Sequence, residues 1–188
     1  MNANKRVIDK IFLVIVTTVV FSTPAVAIFE GDTAPAWQAT TFEGESYSFP
    51  EMSEGKPTVM VFWASWCNYC TAFMPYLKKI EQEYGTDFVE IVAVNMMEEQ
   101  EGGSDPKVYI ENTGIDLTAI QEGDAVAADY NVRFTPGLLV VGSDGIVAYR
   151  RGLTRLPAGQ EVAEVWYEKV REVLDEEFLL MSGCYPTR

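Results

Sequence analysis

Two cysteines separated by two residues, Cys67 and Cys70, are the side chains with the clearest capacity for chemistry. A C-x-x-C pair can be a redox-active dithiol, half of a zinc site or a structural disulfide. Zinc needs further thiolate or imidazole ligands, but the chain has no histidine and only one other cysteine, Cys184. A structural disulfide across so short a loop would stabilise the fold by only about 2 kcal/mol. The pair is therefore interpreted as a redox-active dithiol.

The residues around the pair predict a strand followed directly by a helix. Residues 59–63 form a short apolar run, which is typical of a strand buried on both faces. Apolar side chains then recur at helical spacing and predict a helix over residues 70–84. Cys67 would lie where free backbone N–H groups and the helix dipole stabilise a thiolate. We therefore expect Cys67 to be the nucleophile and Cys70, one turn further along, to resolve the mixed disulfide.

The segment around the cysteines resembles the active-site segment of the thioredoxin superfamily, in residues 62–70, FWASWCNYC. Its details favour the TlpA/ResA/DsbE-like branch of envelope thiol-disulfide oxidoreductases. Four further features match in order: a helix-kinking proline at Pro75, a central strand at 88–95, a cis-proline loop at Thr135-Pro136, and a hairpin turn at 143–145. The resemblance covers residues 31–174, nearly all of the chain after its first segment.

The resemblance implies an α/β fold of the thioredoxin type, with a central mixed sheet flanked by helices. An N-terminal β-hairpin is expected at 37–42 and 46–49, and a second hairpin at 138–141 and 146–150. A central insertion would contain a helix at 105–113, capped by Asp105, and a strand at 116–120. Two further helices are predicted at 125–130, with Asp124 as cap, and at 160–177. We expect residues 28–177 to form the thioredoxin-like domain, followed by a C-terminal extension at 178–188.

The resemblance also implies a substrate-docking surface beside the cysteines, formed by Trp66, Thr135 and Pro136. The backbone of Thr135, next to a cis proline, could pair with an extended substrate segment. Gly137 is small where related proteins often have threonine, and we expect it to open the rim of the site. The exchange chemistry implied by the resemblance needs no metal and no organic cofactor.

The acids that usually move protons in related proteins are missing from their expected positions. Many TlpA/ResA-like proteins have glutamate where this chain has Phe73, and thioredoxins have aspartate where it has Val61. The nearest acids in the sequence are Glu81 and Glu83, which nothing places at the thiols. The hypothesis is that an apolar setting raises the pKa of Cys70 and leaves its deprotonation to water or the substrate thiol.

Residues 1–27 have the pattern of a secretory signal peptide. Lys5, Arg6 and Lys10 precede an apolar stretch at 11–21, and Ala25-Val26-Ala27 matches a small-x-small cleavage pattern. Cleavage after Ala27 is favoured over an uncleaved membrane anchor, since the apolar stretch is short for a bilayer span. Either alternative places the domain outside the cytosol, and the resemblance implies a periplasm or its equivalent.

The charge balance argues against nucleic acid and anionic membrane surfaces as partners. The whole chain has a net charge of −14, with 14 basic and 28 acidic residues. The acidic run Glu98, Glu99 and Glu101 is predicted to be a solvated surface, with a calcium or partner site as the alternative. The cluster Arg150, Arg151 and Arg155 is predicted to balance local acids in a loop, with a partner site as the alternative. Cys184 is an odd cysteine, which could be incidental, could link a dimer or could be an internal redox partner.

The favoured function is reduction of protein disulfides in the cell envelope through Cys67 and Cys70. Its expected partners are envelope proteins with disulfides or thiols, and a membrane thiol donor that recharges the site. The alternatives are an oxidase or isomerase that uses the same residues, and a binding module with little redox activity. A peroxidase is disfavoured because no threonine stands three residues before either motif cysteine, and a copper carrier because no histidine completes the site.

Overall fold

The computed structural model describes residues 28–99 and 102–183. The predictions for residues 1–27, Glu101 and Cys184 lie outside these described residues. The described residues form seven strands, β1 (Trp37–Thr40), β2 (Ser46–Phe49), β3 (Thr58–Trp63), β4 (Glu90–Asn95), β5 (Thr118–Ile120), β6 (Gly137–Val141) and β7 (Val147–Arg150). They also form four α-helices, α1 (Asn68–Tyr84), α2 (Pro106–Glu111), α3 (Asp124–Asp129) and α4 (Val162–Met181). A 3-10 turn, Glu51–Ser53, connects β2 to β3.

The central sheet has five strands in the order β5-β4-β3-β6-β7. Strand β3 pairs with β4 in parallel and with β6 antiparallel, so the sheet is mixed, as predicted. The register places Val59 opposite Ile91 and Phe62 opposite Gly137. Strands β1 and β2 form a separate antiparallel hairpin, which confirms the predicted N-terminal hairpin. Because parallel strands end at the same edge, the residues after β3 and β4 emerge side by side.

Strand β3 is the centre of two hydrophobic clusters, one on each face of the sheet. Val59, Val61 and Trp63 face the cluster that contains α1 and α4. Met60 and Phe62 face the other cluster, together with the aromatic side chains of the β1–β2 hairpin. All six residues of β3 are buried, as expected for a strand covered on both faces. The end of β3 is therefore a fixed point from which the C-x-x-C segment emerges.

The observed elements differ from the predicted ones mainly at their ends. Helix α2 covers Pro106–Glu111, and the Asp105 carboxylate caps it by accepting from the Val108 N–H at 3.0 Å, as predicted. Asp124 is not the cap of α3: Gly123 holds that position, and the Asp124 carboxylate accepts from the backbone N–H of Met97. Helix α4 continues to Met181, past the predicted end at residue 177. Among the described residues, no helix has the length and apolar character needed to cross a membrane.

Candidate active site

The two motif cysteines are joined as a disulfide at the start of α1. Their Cα atoms lie 5.2 Å apart. Cys67 occupies the N-cap position, and its Sγ accepts a hydrogen bond from the Cys70 backbone N–H at 3.1 Å. The helix begins two residues earlier than predicted, at Asn68, so Cys67 lies directly at the positive end of a 17-residue helix. This position stabilises negative charge on Sγ through backbone N–H groups and the helix dipole.

The two cysteines differ in their access to solvent. Cys67 retains 4% of its surface, whereas Cys70 is completely buried. The two residues between them, Asn68 and Tyr69, point outward, and Tyr69 is 61% exposed. A partner molecule therefore reaches the Cys67 side of the disulfide, while Cys70 is screened by the helix.

The turn before Cys67 is held by Glu98, which follows β4. One Glu98 oxygen accepts from the backbone N–H of Ser65 and from Asn95 Nδ2, both at 2.6 Å. The other accepts from Ser65 Oγ at 2.8 Å. The prediction that Glu98 belongs to a solvated acidic surface is therefore wrong, whereas Glu99 is exposed. The parallel pairing of β3 and β4 is the signal that could have found the contact, since both strands end at this edge.

Trp66 is fixed on the same side of the site. Its indole N–H donates to the carbonyl oxygen of Met97 at 2.7 Å. A Cβ at Gly103 would lie 3.3 Å from the backbone nitrogen of Trp66 and 3.4 Å from a Glu98 carboxylate oxygen. The insertion after β4 thus passes closely over the turn before Cys67, and a larger residue than glycine would press on it.

The cis-proline loop lies near Tyr69, the residue before Cys70. The Thr135–Pro136 peptide bond is cis, as predicted from the resemblance. Thr135 is half-buried and Pro136 is buried, and both line a groove together with Tyr69. Trp66 is not part of that groove lining. The structure therefore brings Thr135 and Pro136 together with Tyr69 of the C-x-x-C segment, whereas Trp66 lies outside this groove and contacts Met97.

Gly137 does not open the rim of the site. It is a buried residue of β6, and a Cβ there would lie 2.5 Å from Val132 Cγ1 and 3.1 Å from Phe62 Cβ. The glycine is needed because the loop before the cis proline packs against β3. That loop is also held by Arg150, whose guanidinium donates to the carbonyl oxygens of Tyr130 and Asn131 at 2.8 and 3.1 Å.

No acid of α1 lies at the thiols. Phe73 and Val61 are completely buried, and the Phe73 ring packs against Trp166 with centroids 5.9 Å apart. Glu81 pairs with Lys78 at 2.6 Å. With a helical rise of about 1.5 Å per residue, Glu81 lies more than about 10 Å along α1 from the disulfide. Glu83, the last residue but one of α1, accepts from the Tyr167 hydroxyl. The buried end of the disulfide therefore faces an apolar environment.

A metal site is not assembled in the described part of the chain. Within residues 28–99 and 102–183, no three His, Cys, Asp or Glu side chains lie close enough together to hold a metal ion.

Sequence comparison identifies relatives over most of the chain. Residues 30–150 match the AhpC/TSA family. The chain is 31% identical over 132 residues to the thiol-disulfide oxidoreductase ResA of Geobacillus kaustophilus, covering 68% of this chain and 71% of that protein. It is 28% identical over 127 residues to the thioredoxin-like protein YneN of Bacillus subtilis, covering 68% and 74% of the two chains.

Solved structures confirm the predicted thioredoxin-like fold. The thioredoxin domain of a thiol-disulfide oxidoreductase from Bacteroides vulgatus superposes with a TM-score of 0.61 at 21% identity, covering 79% of this chain and 99% of that domain. A thiol:disulfide interchange protein DsbE from Chlorobium tepidum gives a TM-score of 0.60 at 21% identity, with the same coverage. Together with the relatives and the disulfide at the N-terminus of α1, these findings identify the protein. The chain belongs to the AhpC/TSA family and is a thiol-disulfide oxidoreductase of the ResA type, with a CxxC active site at Cys67 and Cys70.

Proposed function

We propose that the protein reduces disulfides of other proteins outside the cytoplasm, with Cys67 as the nucleophile and Cys70 as the resolving thiol. The observation that carries the assignment of roles is the asymmetry of the two thiols. Cys67 caps the helix and keeps some solvent access, whereas Cys70 is completely buried behind it. An attacking thiol needs both access and thiolate stabilisation, and a resolving thiol needs only proximity to the first.

The reaction proceeds in two exchange steps that conserve atoms and electrons. The Cys67 thiolate attacks one sulfur of a substrate disulfide, which forms a mixed disulfide and releases the other substrate sulfur as a thiolate. Cys70, after losing its proton, attacks Cys67 Sγ and releases the second substrate thiol. Two electrons pass to the substrate, and the product is the Cys67–Cys70 disulfide seen in the structure. A thiol donor must then reduce this disulfide, and a membrane thiol donor is the proposed source.

Trp66, Thr135 and Pro136 are proposed to shape the surface on which the substrate docks. Pro136 is buried, has no backbone N–H and lines the groove that Tyr69 also lines, so it leaves no donor on that wall. Thr135 is half-buried at the groove, where its backbone would pair with an extended segment. Trp66 directly precedes Cys67 and is fixed by its bond to Met97.

An extracytoplasmic location is proposed from two observations. Residues 1–27 have the order of a signal peptide, and structurally similar proteins include a secreted disulfide oxidoreductase of Mycobacterium tuberculosis and an exposed lipoprotein thioredoxin of Streptococcus pneumoniae. The test is the intact mass of the protein recovered from an extracytoplasmic fraction. A mass equal to that of a polypeptide beginning at Ile28 supports cleavage after Ala27. A protein found only in the cytosol would contradict the proposal.

The direction of electron flow is tested by the reduction potential of Cys67 and Cys70. The measurement uses a Cys184→Ser protein equilibrated in glutathione or dithiothreitol buffers, so that only the motif cysteines exchange. A potential near or below about −250 mV supports a reductase. A potential above about −150 mV would make the protein a disulfide donor, with the same residues used in the opposite direction.

The assignment of the two cysteine roles has its own test. A Cys70→Ser variant should accumulate a mixed disulfide through Cys67, because the second step is removed. A Cys67→Ser variant is the matched control and should trap little substrate, since Cys70 is buried. If Cys70 traps substrate as efficiently as Cys67, the proposed order of attack is wrong.

A further inference from the structure

A groove of about 660 Å³ opens at Tyr69, next to the C-x-x-C segment. Tyr69, which lies between the two cysteines in the chain, contributes one side, and Thr135 and Pro136 contribute another. Gly152, Leu153, Thr154 and Leu156 of the loop after β7 also line it, and so does Trp166 of α4, whereas Arg155 of that loop does not. We call this cavity the Arg151 groove, after the cation that lines it. Because Tyr69 is two residues from Cys67 in the chain, a polypeptide joined to Cys67 would begin close to this groove.

The Arg151 groove presents large apolar side chains to solvent. Phe134 is 51% exposed and Leu156 is 52% exposed, and Leu153 is fully exposed. Tyr69 packs edge-on against Trp166, with ring centroids 6.3 Å apart. Exposed apolar side chains that gather around one cavity mark a binding surface more often than scattered ones do. The groove therefore favours a segment with apolar side chains.

The guanidinium of Arg151 lies between two aromatic rings of this groove. Its Cζ is 4.8 Å from the centre of the Phe134 ring and 4.7 Å from that of Trp166. Its Nε is buried and has no hydrogen-bond partner. Burial lowers the pKa of Arg151, which reflects the loss of water around the cation. The two rings hold the guanidinium in a fixed plane while leaving its hydrogen-bonding capacity unfilled.

Arg151 does not balance a local acid, in contrast to the prediction for the basic cluster. Within residues 28–99 and 102–183 it forms no ion pair, even though Glu161 also lines the groove. The adjacent Arg150 differs, because its guanidinium is occupied by two backbone carbonyls. A partly desolvated cation without a partner gains when a carboxylate arrives in a planar, two-bond geometry.

We propose that the Arg151 groove binds an extended, apolar segment of the substrate protein that carries an aspartate or glutamate close to its reactive cysteine. The carboxylate pairs with Arg151, and the apolar side chains pack on Phe134, Leu153 and Leu156. This inference rests on the proposed function and names the substrate class for it. The exchange step is unchanged, and Arg151 acts as a specificity-determining residue that holds the substrate. In a chain of net charge −14, an acidic segment is otherwise repelled, so the preference depends on this one cation.

The experiment uses apolar peptides that carry one cysteine in a mixed disulfide with 2-mercaptoethanol. Glutamate, glutamine or lysine is placed at each position from three residues before the cysteine to three after it. The reduced Cys184→Ser protein is mixed with an excess of each peptide, and the second-order rate constant for release of the peptide thiol is measured in a single turnover. With Arg151 unchanged, the rate constant for the glutamate peptide should exceed that for the glutamine peptide by about five- to tenfold at the best position, as expected for a charge-assisted pair. This preference should shrink in high salt.

Arg151→Gln and Arg155→Gln each remove one positive charge, so comparing them separates a local contact of Arg151 from the electrostatic field of the whole protein. Arg151→Gln should reduce the glutamate-to-glutamine ratio to about one, and Arg151→Lys should give an intermediate ratio because lysine lacks the planar fork. Arg155→Gln removes the same charge from an exposed position of the same loop and should keep the preference. A ratio that survives in Arg151→Gln, or that is lost equally in Arg155→Gln, overturns the proposal.

The failure of this inference can be distinguished from failure of the proposed function. Bis(2-hydroxyethyl) disulfide has no charge and no peptide segment, so its reduction reports only the exchange chemistry. If the protein with Arg151 unchanged reduces this compound but shows no preference for glutamate peptides, the proposed role of Arg151 is refuted and the proposed reductase function is retained. If the protein does not reduce the compound or any peptide, the proposed function and the inference that rests on it both fail.

Discussion

Replacing Glu98 by glutamine separates the charge of this side chain from its shape at the turn before Cys67. Glutamine can place its oxygen where one carboxylate oxygen accepts from the Ser65 N–H and Asn95 Nδ2. Its amide nitrogen then meets Ser65 Oγ, which can rotate and accept. The three contacts are therefore retained in number, but they lose the negative charge of the acceptor.

The expected loss of stability follows from the difference between charged and neutral hydrogen bonds. Bonds to charged groups contribute about 1.5–3 kcal/mol and neutral bonds about 0.5–1.5 kcal/mol. Because the Glu98 site is only half-buried, we expect Glu98→Gln to lower the free energy of unfolding by about 1–2 kcal/mol. Glu98→Ala leaves the donors of Ser65 and Asn95 without an acceptor, and we expect a loss of about 2–4 kcal/mol.

The assay is urea unfolding of the oxidised Cys184→Ser protein at neutral pH, followed by tryptophan fluorescence. Glu99→Gln is the matched control, because it removes the same charge from the adjacent exposed residue. A double-mutant cycle with Ser65→Ala isolates the bond to Ser65 Oγ. Amide hydrogen exchange at Ser65 and Trp66 should also accelerate in the Glu98 variants but not in Glu99→Gln.

The outcome that would refute this reasoning is specific. If Glu98→Gln and Glu99→Gln change stability equally, within about 0.3–0.5 kcal/mol, the effect is one of net charge and the contacts contribute nothing. If the Ser65→Ala cycle gives no coupling energy, the hydroxyl bond is not a stabilising contact.

Three further predictions concern the buried Gly137, the carboxyl group of Glu90 at the start of β4, and the resolving thiol Cys70. Gly137→Ala should destabilise the fold by about 1–3 kcal/mol, because its Cβ would lie 2.5 Å from a neighbouring methyl carbon. Gly152→Ala is the control and should be nearly neutral in urea unfolding, because open space surrounds that position. Equal effects of the two substitutions would contradict the packing argument. Burial raises the pKa of Glu90 above its ordinary value of 4.5, so the folded state loses stability as pH rises through the interval above 4.5. Glu90→Gln should therefore raise the urea midpoint at pH 7 and not at pH 4, and a gain that is equal at both pH values would refute the charge explanation. Phe73→Glu should accelerate the release of substrate by Cys70 around neutral pH, because the added carboxylate can take up the proton of Cys70. The control is Phe73→Gln, which loses the same packing without adding an acid. An unchanged pH–rate profile would refute the hypothesis that the missing acid limits this step.

The cysteine site itself could be predicted from local sequence. A buried strand followed by helical spacing places Cys67 at a helix N-terminus, and the structure has it there. The cis peptide before Pro136 could be expected only from the resemblance, since the residues alone do not determine it. Element ends were less well predicted, as at α3, where Gly123 and not Asp124 is the cap. Local patterns report which face of an element is buried, and hence its type, but they fix its ends poorly.

The surroundings of the site were decided by contacts between residues far apart in the chain. Glu98 was predicted to be solvated, yet it binds Ser65 because the parallel register of β3 and β4 brings their ends together. Arg151 was predicted to balance acids, yet it lies between Phe134 and Trp166, which come from different elements.

The sequence by itself determined the reactive pair and its place at a strand–helix junction, and these features depend on residue type and on periodicities within a few turns. The type of fold around the pair was expected from the resemblance of residues 62–70 to the thioredoxin superfamily. Only the tertiary structure decided which carboxylate braces the turn before Cys67, why Gly137 must be small and which cation lines the groove beside Tyr69. Strand order, register and side-chain direction set those contacts, and they result from the packing of the whole chain at once.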